Sequence, residues 1–226
     1  QARASDKPSL IACKTTIGFG APKLAGSEKS HGAPLGEDEI AGAREKLGWP
    51  HPAFEIPEPI MSAWREVGAK GGALSTAWDR RLENADGATK AEFERRMAGH
   101  LPEGLGEAIG EIKRGLLEEK PKVATRKASQ TVLEALVERI PEMVGGSADL
   151  SGSNNTKTSS HKVVKRGDYA GNYIHWGVRE HGMAAAMNGL ALHGGLIPYG
   201  GTFLIFSDYA RPSMRLAAMN KLRTIH

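Results

Sequence analysis

A single cysteine, Cys13, in 226 residues leaves no partner for an internal disulfide. Packing alone must hold the fold, and a reducing, cytoplasmic setting is expected. Long hydrophobic runs are also lacking. Nothing approaches the roughly 20 uninterrupted apolar residues of a membrane helix, and Gln1-Ala2-Arg3-Ala4-Ser5-Asp6 has no apolar stretch behind it to serve as a signal peptide, so no membrane partner is expected. Aromatic residues make up only 6% of the chain and do not alternate with basic residues in any repeat, which argues against a nucleic-acid partner. Charge of one sign is nowhere concentrated. The formal net charge of +4 and the pI near 9.2 come from Lys, Arg, Asp and Glu mixed along the chain, a balance suited to anionic metabolites.

What the chain does have is 40% apolar residues, enough for one substantial core or two smaller ones. Residues 9–16 read as a buried strand in which Cys13, within Leu10-Ile11-Ala12-Cys13, is a small buried hydrophobe. Gly18, Gly20, Gly26, Gly32, Pro22 and Pro34 then make a loop too glycine-rich for regular structure. From Asp38 a helical pattern carries Ile40, Ala43 and Leu47 on one face and stops at Gly48. A proline-rich link at 50–59 leads to three charged amphipathic helices, 60–67, 77–98 and 105–117, separated by Gly68-Ala69-Lys70-Gly71-Gly72 and by His100-Leu101-Pro102.

The composition changes at 121–125, and a domain boundary is expected near residue 120. Beyond it come a helix at 126–140, a strand at 143–147, a long polar loop at 151–173 of the kind that carries function, a strand at 174–178, an Ala- and Met-rich helix at 180–193 closed by Gly194-Gly195, a strand at 202–206 and a helix at 212–222. Alternating strand and helix point to α/β. Both ends read as cut. The chain opens directly on a strand pattern and leaves its final helix towards another strand, so a segment of a longer protein is expected.

Six blocks, in order, resemble transketolase, the thiamine diphosphate enzyme that moves two-carbon ketol units between sugar phosphates. They are Cys13-Lys14-Thr15-Thr16-Ile17-Gly18-Phe19-Gly20; Ser30-His31-Gly32-Ala33-Pro34-Leu35-Gly36; Arg126-Lys127-Ala128-Ser129-Gln130; Gly145-Gly146-Ser147-Ala148-Asp149-Leu150; the run from Gly171-Asn172-Tyr173-Ile174-His175-Trp176 through Gly177-Val178-Arg179-Glu180-His181-Gly182-Met183; and the run from Gly200-Gly201-Thr202-Phe203-Leu204-Ile205 through Phe206-Ser207-Asp208-Tyr209-Ala210-Arg211. The resemblance implies an α/β fold made of parts of two thiamin-diphosphate-binding domains, with parallel sheets flanked by helices and a helical linker between them. Residues 1–120 would be the C-terminal part of the diphosphate-binding domain plus the helical connection, and 121–226 the N-terminal part of the pyrimidine-binding domain. It also implies thiamine diphosphate with Mg2+ or Ca2+, sugar phosphate substrates, and a homodimer with the site between subunits. The family's Gly-Asp-Gly metal element, with its following Asn, is not in this sequence, nor are its later His-Asp-Ser and Asp-Gly-Pro-Thr-His-Gln blocks. The metal ligands are thus expected outside the segment, and the 226-residue chain alone is expected to be inactive.

The resemblance assigns roles that the residues can be weighed against. Glu180 matches the family's catalytic glutamate, a buried carboxylate that favours protonation of the aminopyrimidine; its local pattern equally fits a first-turn acid on a helix dipole. Phe203, Phe206 and Tyr209 match the aromatic set around the aminopyrimidine, or else pack in a core. His31 matches a catalytic histidine near both the cofactor diphosphate and the substrate, as suits an imidazole in a Gly/Pro loop. Arg126 and Ser153 match residues that bind the sugar's phosphate. Asp149 matches a cofactor-side aspartate but also suits a turn, and Ile17 matches an apolar cofactor contact but also suits a buried strand end. His161, His175, His181 and His193 have no metal-ligand spacing, so no metal site is assigned. The other readings are a phosphoketolase, a deoxyxylulose-phosphate synthase, or a non-catalytic fragment or interaction module that keeps the fold.

Overall fold

Three acids, Glu37, Asp38 and Glu39, open the first helix of the computed structural model, α1 (Glu37–Lys46), where they face the positive end of its dipole. The structure describes residues 1–226, which form two compact units, Gln1–Asp79 and Arg80–His226. In the first unit Glu39 does more than meet the dipole. It is buried, and its carboxylate accepts the backbone N–H of Lys23 at 3.1 and 3.2 Å and that of Leu24 at 3.2 Å, tying the glycine-rich loop to α1. Ala43 is half-buried, while Ile40 and Leu47 are exposed.

Residues 9–16 do not form the expected strand. They are irregular and exposed, with Leu10 96% accessible, because no other strand lies alongside to take their backbone groups. Cys13 is accordingly exposed rather than buried. The helix expected to break at the glycine cluster does not: α2 (Glu58–Glu83) runs through Gly68, Gly71 and Gly72. A glycine costs a helix about 1 kcal/mol relative to alanine, and the Glu66–Lys70 pair at 3.3 Å bridges the turn that holds Gly68. The break falls inside the expected 77–98 helix, where the Asp86 side chain accepts the Thr89 N–H at 3.0 Å and starts α3 (Gly87–Met97).

In the second unit α3 is followed by α4 (Leu105–Glu119), α5 (Thr125–Arg139) and β1 (Met143–Ser147). Arg95 on α3 donates to both oxygens of Glu142 at 2.8 and 2.9 Å, to both oxygens of Glu92 at 2.8 and 2.9 Å, and to the His100 carbonyl at 2.5 Å. Burial pushes the Glu142 carboxyl up, but the guanidinium outweighs it and holds the group below its usual range. This clamp fixes the entry to β1.

The sheet has the order β2-β1-β3 and is parallel throughout. Its outer strands, β2 (Tyr173–His175) and β3 (Ile197–Pro198), are short. Helix α7 (Glu180–His193) lies between them in sequence, ended by Gly194 at φ 84°. Val137, Ile140, Met143, Ile197 and Tyr199 form one core cluster; Ala148, Met183 and Met187 form another. Burial of β1 along nearly its whole length is the mark of a parallel strand covered on both faces.

Two expectations fail at the end of the sheet. Residues 202–206 are not a strand: pairing with β1 runs from Met143 opposite Ile197 to Ser147 opposite Gly201, so β1 is used up before Thr202. Leu204–Phe206 instead form a 3-10 turn leading into α8 (Ser207–Met219). That helix begins before Pro212 rather than at it, and the proline sits inside it, forgoing one backbone hydrogen bond. The strand expected at 174–178 begins at Tyr173 and ends at His175. Within the polar loop a short helix, α6 (Ser151–Asn154), follows β1 directly, and Thr156, Thr158 and His161 turn inward.

Candidate functional site

Two cavities open beyond the carboxyl ends of the parallel strands, the usual ligand position in open α/β sheets. The first, about 470 Å³, is bounded by Ala148, Asp149 and Leu150 after β1, Val178 and Glu180 after β2, and Phe206 and Tyr209 after β3. Glu180 is the first residue of α7 and only 9% exposed. Its carboxylate accepts a hydrogen bond from the Thr202 hydroxyl at 3.4 Å. Thr202 was not singled out in the sequence, although a hydroxyl at the exit of a parallel strand, after Gly200-Gly201, is a usable signal.

The residues at every third position, Phe203, Phe206 and Tyr209, form a continuous aromatic series. Phe203 and Phe206 have centroids 6.0 Å apart at 19°, and Phe206 and Tyr209 are 6.2 Å apart at 34°. Phe206 is half-buried; Phe203 at 40% and Tyr209 at 65% are exposed, so neither is core filling. Asp149 holds the turn after β1 at φ 62°, in the left-handed region that Asp tolerates better than most residues. It serves the turn and lines the cavity at once.

The second cavity, about 480 Å³, brings Arg126 and Ser129 of α5 together with Ser153 and Asn154 of α6, Thr156, Thr202 and Phe203. Arg126 and Ser153 are both exposed. Asn154 is anchored, its amide donating to the Ser147 hydroxyl at 2.9 Å. A guanidinium and two small hydroxyls around such a space suit an anion with several oxygens.

His31 and Ile17 lie in the first unit. His31 closes the 3-10 turn Glu28–Ser30 with its N–H on the Glu28 carbonyl at 3.0 Å, and its ring is exposed. The Ile17 carbonyl accepts the Gly26 N–H at 2.7 Å, and its side chain is 41% exposed rather than buried at a strand end. No group of three or more His, Cys, Asp or Glu is placed to hold a metal ion. No helix is long and apolar enough to cross a membrane.

Two family models match the chain: the transketolase thiamine diphosphate binding domain over residues 1–102 and the transketolase pyrimidine binding domain over 121–226. A transketolase of Sinorhizobium medicae is 50% identical over all of this chain and 32% of its own length, and one of Cereibacter sphaeroides is 53% identical over 96% of this chain and 33% of its own. Among solved structures, transketolase from Leishmania mexicana superposes with a TM-score of 0.81 at 39% identity, covering 98% of this chain and 33% of that one. A Pichia stipitis transketolase in complex with sedoheptulose 7-phosphate superposes with a TM-score of 0.80 at 34% identity, again over 98% of this chain and 34% of that one. The chain thus spans about a third of the length of the relatives it matches. Two domain models in order and whole-chain identity near one half give the same answer: the chain belongs to the transketolase family.

Proposed function

We propose that this chain supplies the pyrimidine side of a thiamine diphosphate site and the phosphate-binding wall of the adjoining sugar site, in a transketolase that transfers a two-carbon ketol unit from a ketose phosphate to an aldose phosphate. The observation that carries this reading is Glu180, a carboxylate buried at the mouth of an aromatic-walled cavity with one hydroxyl partner. A carboxylate has room for further donors, and a flat heteroaromatic ring bearing an N–H fits between Phe206, Tyr209 and that acceptor. When bound, thiamine diphosphate supplies a carbon that becomes nucleophilic once the cofactor's own aminopyrimidine takes its proton. The task of Glu180 is to accept the N–H of the pyrimidine ring and so favour the ring's protonated form. Arg126 and Ser153 hold the sugar's phosphate, and Asp149 and Ile17 contribute to the cofactor's surroundings.

On this reading residues 1–120 complete the diphosphate-binding domain and its helical connection, and 121–226 begin the pyrimidine-binding domain. The divalent ion, Mg2+ or Ca2+, has its ligands outside these residues. The setting is cytoplasmic, in keeping with one free cysteine. The test of the substrate class is Arg126→Ala in full-length transketolase carrying this sequence. Losing a charge-assisted phosphate contact costs about 1.5–3 kcal/mol, so the KM for phosphorylated sugars rises while kcat changes little. An unchanged KM for every phosphorylated substrate removes Arg126 from the site.

We further propose a homodimer in which one subunit gives each site its diphosphate side, with His31, and the other its pyrimidine side, with Glu180. Mixing subunits that carry His31→Ala with subunits that carry Glu180→Gln then leaves one intact site per heterodimer. The mixture should be far more active than either variant alone; well-folded heterodimers no more active than the separate variants would refute shared sites.

A further inference from the structure

The polar residues that turn inward from the loop between β1 and β2 converge on His161. Its ring is 9% exposed, and its Nδ1 lies 2.7 Å from the Thr158 backbone N and 2.8 Å from the Thr158 hydroxyl. A backbone amide can only donate, so Nδ1 is the acceptor and the neutral ring carries its proton on Nε2. That Nε2 is 2.7 Å from the Tyr199 hydroxyl, which donates to the Thr156 carbonyl at 2.7 Å. Hydrogen bonds therefore run from His161 through Tyr199 to Thr156, and from Thr158 back to His161. The Thr156 hydroxyl in turn lies 2.9 Å from Asn154 Oδ1 and 2.9 Å from the Tyr173 hydroxyl.

We propose that His161 is a positioning residue for the phosphate-facing wall of the second cavity: it holds Thr158 directly and Thr156 through Tyr199, and Thr156, bonded to Asn154, so sets where Ser153 and Asn154 stand opposite Arg126. The inference rests on the phosphate reading of that cavity. Three observations support the clamp. Asn154, Thr156 and Tyr199 all line the cavity, so the chain of hydrogen bonds ends on its surface. The imidazole is boxed by Tyr173 at 5.0 Å and Tyr199 at 5.9 Å between ring centroids, which fixes its plane. The neighbouring Ser159 is pinned to α5, with Glu134 accepting its N–H at 3.2 Å and its hydroxyl at 2.8 Å. Burial holds the imidazole below its usual pKa, with Glu134 pulling up and Lys157 pulling down. A proton on Nδ1 would also point at the Thr158 N–H, so the neutral ring is the form that clamps.

The test uses full-length transketolase carrying this sequence. Removing one hydrogen bond from such a chain is worth about 1 kcal/mol, or roughly fivefold. His161→Gln should raise the KM for an aldose phosphate by about that factor, while kcat and the KM for the same aldose without phosphate stay unchanged. Tyr199→Phe keeps the ring in the core and removes only the hydroxyl, and it should show the same split. Nitrogen NMR of the unmutated protein should find His161 protonated at Nε2 and not at Nδ1. A KM that rises equally for both aldoses, a KM unchanged in the folded Tyr199→Phe protein, or a neutral ring protonated at Nδ1 each overturns the proposal. Arg126→Ala separates the two levels: a rise there with none at His161→Gln overturns the positioning role alone, and no rise in either overturns the phosphate reading as well.

Discussion

Replacing Glu180 by Gln in full-length transketolase carrying this sequence is expected to lower turnover by about 10²–10⁴, the range for a lost acid–base function, while the KM for sugar phosphates scarcely moves. The substitution is nearly isosteric, and the amide oxygen can still accept from Thr202. What disappears is the negative charge in a site where the side chain is only 9% exposed. A buried charge acts on its partner's protonation far more strongly than an exposed one, so on the proposed reading a bound protonated pyrimidine would lose that stabilisation. The glutamine NH2 would also present a donor where an acceptor is needed. On the proposed reading the sugar's phosphate meets Arg126 and Ser153, which line the other cavity, so sugar binding should be spared. Hydrogen–deuterium exchange at the reactive cofactor carbon, measured without sugar, isolates the effect. Exchange as fast in the variant as in the unmutated enzyme would return Glu180 to the role of a first-turn acid.

The part of the fold written in local signals was legible. The strand at 143–147 and the helix at 180–193 match the structure to the residue, because the strand is a short apolar and glycine run and the helix is closed by Gly194, which takes the positive φ a helix end favours. Where an element's limits depend on a distant neighbour, the sequence misled. The strand pattern at 9–16 needs a partner strand, and the end of β3 is set by the length of β1. The glycine cluster in α2 reads as a break, yet helix geometry admits it at modest cost.

The candidate site divides the same way. Motif residues announce themselves by type and order, and the structure places Glu180, Asp149, Phe206 and Tyr209 on one cavity and Arg126, Ser153 and Phe203 on the other. Supporting residues do not announce themselves. Thr202 meets Glu180 across 22 positions and Tyr199 meets His161 across 38. Glu39, one of three acids in the first turn of α1, is a buried tie to a loop more than a dozen positions upstream. None of these pairings leaves a periodic trace.

Glycine in β1 is expected to show the largest effect on stability, and of opposite sign to glycine in α7. Gly146 lies on the central strand in register with Ile174 of β2. A Cβ added there would run into the Ile174 carbonyl oxygen and Trp176 Nε1, with Trp176 Cδ1 at 2.6 Å. The carbonyl belongs to the sheet backbone and cannot swing aside, so Gly146→Ala must push the strands apart. Overpacking of this kind costs about 1–3 kcal/mol. Gly189 is the counter-case, since it lies inside α7, is exposed, and has nothing within 4 Å of where its Cβ would stand. Gly189→Ala should therefore stabilise by about 0.5–1 kcal/mol through the lower entropy of the unfolded chain. Native-state hydrogen exchange of the 226-residue chain reads both locally, at the Gly145 N–H bonded to the Asn172 carbonyl at 2.9 Å and at the interior amides of α7. Gly146→Ala should speed exchange at Gly145, and Gly189→Ala should slow it within α7. Protection at Gly145 unchanged by Gly146→Ala would mean that the two strands have slack this packing does not allow.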